Sequence, residues 1–172
     1  VVTFEGGVFE RAARSDQVEF VYANVRSVRV AGEASFLGSA FVDHASFTDA
    51  VFLDRVAFSE VTFADGARFV GCSVAGDASF FGVEFEGGPS ENDDADFERA
   101  AFTDDIDFQD IECDAFGFER VSVDGAADFS NAQFGSVSAD STRFDGPVDM
   151  SFCQYTGQVS FTETEFGADV TM

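Results

Sequence analysis

"HASFTDAVFLD" at residues 44–54 runs directly into "RVAFSEVTFAD" at residues 55–65, and Phe returns at 47, 52, 58 and 63. Steps of five and six alternate, a spacing that suits neither the 3.6-residue period of a helix nor the two-residue period of a long strand. Carried outward, the same walk touches Phe36, Phe41, Phe69, Val74, Phe80 and Phe85, resumes at Phe97 and continues to Met172. Upstream it meets Phe4, Phe9, Phe20, Val25 and Val30. Thirty centres result, 21 of them Phe.

A second set of small apolar residues, among them Ala45, Ala50, Val56, Val61, Ala67 and Cys72, stands two places before the centres. Residues i and i−2 share a face in extended chain, so each unit is a short side whose two inward residues are the centre and its predecessor. Asp or Gly follows the centre by two in most six-residue steps (Gly32, Asp43, Asp54, Asp65, Gly76, Asp104, Gly125, Gly146), which places the turns there, with residues that tolerate positive φ. One unit buries nothing alone; stacked units bury a continuous core.

"Ala45-Ser46-Phe47-Thr48-Asp49" and "Ala132-Gln133-Phe134-Gly135-Ser136" carry a resemblance to the pentapeptide-repeat family, which it extends to nearly the whole chain. The resemblance implies an all-β fold, a right-handed four-sided β-helix of seven to eight coils. It departs from the family by an extra residue at every second corner, about 22 residues per coil. At a rise of roughly 4.8 Å per coil the rod is about 36 Å long.

The domain expected is a single solenoid over residues 1–172. Two places break its rhythm: "GGPSEND" puts an extruded loop at 88–93, and Arg14 falls at a centre, which makes the N-terminal coil irregular over 10–19. The chain has 33 acidic residues against nine Arg and no Lys, for a net charge of −24. With 45% of its residues hydrophobic it is folded, with an acidic surface. Residues 1–30 hold four Arg and four acids, so all of the net charge lies downstream. There is no membrane-spanning stretch and no signal-like start, which favours the cytoplasm.

No residue set reads as catalytic, cofactor-binding or metal-binding, and the chain is read as no enzyme. His44, the one histidine, sits at a corner facing outward. Cys72, Cys113 and Cys153 are read as buried core thiols. Asp107, Asp128 and Asp149 precede centres one coil apart and form an outward acidic column, read as a solvated face. Leu37, Val42, Leu53, Val70 and Phe81 flank centres on the solvent side and are the candidate interface.

These features describe a non-enzymatic interaction scaffold, a segment of a larger protein adapted to high salt, whose partner is another protein or a second copy. No direct nucleic-acid contact is expected. The alternative comes from the resemblance: some members are acidic rods that occupy the DNA-binding saddle of type II topoisomerases, which makes this chain a candidate DNA mimic.

Overall fold

A computed structural model describes residues 2–87 and 94–172. The chain is all-β, a solenoid of about seven turns whose sides are parallel strands, most of them two residues long. The first side runs through Val2–Glu5, Ala23–Arg26, Ala45–Ser46, Ala67–Arg68 and Ala95–Asp96. The second contains Val8–Phe9, Arg29–Val30, Val51–Phe52 and Ser73–Val74, the third Ala34–Ser35, Val56–Ala57, Ala78–Ser79 and Ile106–Asp107, and the fourth Glu19–Phe20, Ala40–Phe41, Thr62–Phe63 and Glu84–Phe85. Glu112–Gly117 and Gln133–Ser138 pass straight through a corner, which joins the fourth and first sides into one 13-stranded sheet. No helix of the described residues is long and apolar enough to cross a membrane.

A two-residue strand makes few bonds with any one neighbour, so the order comes from repetition. Phe47 N donates to Arg68 O at 2.7 Å, Phe69 N to Asp96 O at 2.7 Å and Phe97 N to Gly117 O at 2.8 Å, each coil bonding to the next. Ala67 pairs with Ala95 and Glu84 with Glu112, so register holds on both sides of residues 88–93. The loop expected at 88–93 lies outside the described residues.

Centres and their i−2 partners fill one core, with Phe47, Phe58, Phe63, Phe97 and Phe108 wholly buried. On the third side Phe36, Phe58, Phe80 and Phe108 stack nearly parallel with centroids 4.8–5.2 Å apart, and on the first Phe47, Phe69 and Phe97 do so at 4.7–5.0 Å. The two columns interleave edge to face: Phe58 meets Phe47 at 5.0 Å and Phe69 at 5.2 Å. Where Cys113 interrupts the fourth-side column, Phe116 occupies an i−2 place and packs 5.1 Å from Phe134, replacing the missing ring.

Three expectations change. Ala13 pairs with Ala34 and Arg14 with Ser35, so Arg14 faces outward, paired with Glu33 at 3.0 Å, and Ser15 holds the centre. The coil keeps register over 13–20; its anomaly is a small centre, and Ser15 lines an apolar cavity of about 380 Å³ with Phe20, Val25 and Phe36. Second, the left-handed residues other than Gly66 sit in the five-residue corners, at Asp49, Glu60, Arg99, Asp110 and Asn131 among others, where Ala50 N donates to Phe47 O at 3.1 Å across the turn. The six-residue corners use Asp and Gly otherwise: Asp54 Oδ1 accepts from Arg55 N, and a Cβ on Gly125 would lie 2.5 Å from the Asp104 carbonyl carbon. Glycine there admits the preceding coil. Third, Cys153 is half-buried, its thiol donating to Phe129 O at 3.0 Å.

Two i−2 places hold buried hydroxyls. Thr142 Oγ1 donates to Phe118 O and accepts from Val121 N at 3.2 Å, and Ser39 Oγ bonds Ser15 O at 2.6 Å and Val18 N at 3.1 Å. Each closes, from the next coil, a turn of the coil before it. Thr142→Val orphans two buried backbone groups and is expected to cost about 1–3 kcal/mol in denaturant melts, against less for Thr142→Ser, which keeps the hydroxyl. Equal stability of the Val variant and the parent contradicts this role.

Candidate functional site

The chain offers surfaces, and the four-sided frame decides which residues share one. Leu37 and Phe81 lie on the corner ridge that leads into the fourth side, two coils apart. Val42 lies on the ridge that leaves that side, one coil beyond Val21. All four are exposed, and Ala40 and Thr62 face outward between the ridges. The second and third coils of the fourth side therefore present an uncharged, apolar-edged stretch that begins after Glu19. Farther along the same side the outward places become Glu84, Glu112 and Gln133.

Leu53 and Val70 are elsewhere. Leu53 lies on the ridge from the second side to the third, and Val70 on the ridge from the first to the second. The five flanking residues share a register position but not a face, because successive steps of the walk turn successive corners.

Asp107, Asp128 and Asp149 occupy adjacent rungs of the third side, followed by Thr171. Each carboxylate closes its own corner: Oδ1 accepts the backbone N–H two residues on, from Gln109 at 3.0 Å, Ser130 at 2.9 Å and Ser151 at 2.8 Å. Desolvation raises the Asp107 pKa, with the neighbouring Asp128 charge adding to it against the Gln109 bond. Asp149, more open, is lowered by its bonds from Ser151. These aspartates are turn formers held in a repulsive column.

One acidic set and one buried aspartate escaped the sequence. Asp77, Asp104 and Asp105 bring carboxylate oxygens within 4.8 Å of one another at exposed corners, and Asp105 Oδ1 already accepts from Ala126 N at 2.7 Å. Asp94 is buried, bonded by Ala115 N at 3.0 Å, and raised above its ordinary pKa mainly by burial. Among the thiols, burial pushes Cys72 up to about 12, which makes it inert. His44 is half-buried and lines a polar cleft on the first side.

Parallel two-residue rungs, a left-handed residue two places after alternate centres and a Phe column behind them define the architecture. The fold is a four-sided parallel β-solenoid, consistent with the pentapeptide-repeat fold. No protein-family model and no curated protein matches the chain. Among solved structures it aligns with HetL, a pentapeptide repeat protein involved in heterocyst differentiation regulation from the cyanobacterium Nostoc sp. strain PCC 7120. Identity is 10% over 95% of this chain and 88% of that one, with a TM-score of 0.20.

The column generates a test. Two charges about 5 Å apart in water repel by roughly 1 kcal/mol, and screening contracts from about 10 Å at 0.1 M salt to about 3 Å at 1 M. Asp128→Asn keeps an Oδ1 acceptor for Ser130 and removes the middle charge, so it is expected to stabilise the fold at 0.1 M salt and to be neutral in molar KCl. Asp128→Ala loses the bond and destabilises at both. Asp107 has a folded-state pKa above its unfolded value, so at low salt this site adds stability as pH falls from neutral through the folded-state pKa. Thermal melts that show Asp128→Asn destabilising equally at both salts contradict the repulsive column.

Proposed function

We propose that this pentapeptide-repeat solenoid is a non-enzymatic protein-interaction scaffold whose contact face is the first half of its fourth side. The observation that supports this is the convergence of Leu37, Val42, Phe81 and Val21, all exposed, around an outward row that carries Ala40 and Thr62 between Glu19 and Glu84. Large exposed side chains that flank a flat parallel sheet supply the apolar centre of an interface, and the acids farther along supply a polar rim. The partner is a protein surface of low charge, a second copy in the simplest case. In a chain of net charge −24, two such faces meet only when salt screens the rest of the rod.

The register of Asp107, Asp128 and Asp149 favours a second reading for the other half, an acidic decoy for a DNA-binding protein such as a type II topoisomerase. Decoy binding weakens steeply as salt rises, whereas association through the apolar face strengthens.

Sedimentation in molar KCl separates them. The parent is expected to self-associate and a Leu37→Ser, Phe81→Ser variant to remain monomeric while keeping its β-sheet circular dichroism. A parent that is monomeric throughout and no less soluble than the variant overturns the contact face. Salt-sensitive inhibition of a topoisomerase supports the decoy instead.

A further inference from the structure

The first side carries a cleft of about 470 Å³ unlike the rest of the surface. Its floor is the outward column Asn24, Ser46, Arg68 on three successive rungs, with Thr48 beside Ser46, their hydroxyls 3.0 Å apart. Arg26 and Arg68 stand two coils apart, a rise of roughly 10 Å at the spacing of parallel strands, and line the same cleft as Ser46 and Thr48. Tyr22, His44, Val70 and one carboxylate, Asp49, line the cleft as well, and Arg99 bounds it, so three cations face one acid. Three of nine arginines thus gather at one place in a chain with 33 acids.

Arg99 is paired with Glu98 at 3.1 Å, but the other two cations are not used up internally. Among the described residues Arg26 has no carboxylate partner, and Arg68 reaches Asp96 only at 3.8 Å. Asn24 Oδ1 is buried without a hydrogen-bond partner. It is a polar group at the cleft floor that a turn of the side chain brings to a ligand, with either end of the amide presented.

We propose that this cleft binds a small oxyanion ligand, a phosphate- or carboxylate-bearing organic molecule, held between the Arg26 and Arg68 guanidiniums above the Ser46 and Thr48 hydroxyls, with Tyr22 as an apolar wall. Arginine forks match such groups bidentately, and the volume suits a small molecule. An extended polyanion does not fit: along the first side the outward places after Arg68 are Asp96 and Glu98, then Glu119 and Asp140, so a chain of negative charge running along the rod meets like charge. The site is independent of the fourth-side face and stands or falls separately.

Calorimetric titration of the whole chain with phenyl phosphate, inorganic phosphate and benzoate in low-chloride buffer tests this. One saturable site is expected, weakened about tenfold or more in Arg26→Gln, Arg68→Gln and unchanged in Arg143→Gln, whose side chain is paired with Asp145 on another side. Tighter phenyl phosphate than benzoate identifies a phosphate ester, and the reverse a carboxylate. If the double variant loses its circular dichroism, Arg26→Gln alone carries the same reading, since Arg26 makes no ion pair. Absence of saturable binding, undiminished binding in the variants, or binding of poly-glutamate that small anions fail to displace overturns the proposal.

Discussion

Edge-to-face packing of two phenylalanine columns from opposite sides holds this molecule together. Rings of the third side stack on one another, rings of the first side do the same, and rings inside one column touch two of the other: Phe69 meets Phe58 at 5.2 Å and Phe80 at 5.3 Å, nearly perpendicular to both. The stacked spacing of about 5 Å is the distance between parallel strands, so the ring columns and the backbone bonds want the same rise. Small residues at i−2 follow from that, because a full column leaves no room beside it for a second large side chain. Where the fourth-side column is interrupted at Cys113, the adjoining i−2 place of the first side enlarges to Phe116.

A core made this way leaves function to the outside. Strands of two residues place one side chain inward and one outward, and corners project the rest, so the surface is a set of columns with one residue per coil. Charges in a column repel, hydroxyls in a column bond, and arginines two rungs apart line one cleft. The third side makes an acidic ladder, the fourth an apolar-edged face and the first a cationic cleft from the same repeat.

The repeat was readable because Phe recurs at fixed steps whatever the polar residues do, and the walk located nearly every buried centre. It slipped by one residue at Arg14, since Ser15 gives no apolar signal and only pairing with Phe36 reveals it as a centre. Turn chemistry was half readable: Asp54 and Gly125 do mark corners, but several left-handed positions hold Glu60, Arg99 and Arg120, which no propensity singles out. The surface was the least readable part. Leu53 and Val70 look like neighbours of Leu37 in register and lie on other ridges, and Arg26 and Arg68 share a cleft although two coils of sequence separate them. Which residues share a side depends on where each extra corner residue falls.

A double-mutant cycle on Phe58 and Phe69, each changed to Leu, tests the interlocked columns most directly. Both rings are buried and meet edge to face at 79°. The account predicts a coupling of about 0.5–1.5 kcal/mol beyond the loss of buried area. Losses that add to within about 0.3 kcal/mol would contradict it, and would reduce the columns to separate stacks that happen to share a core.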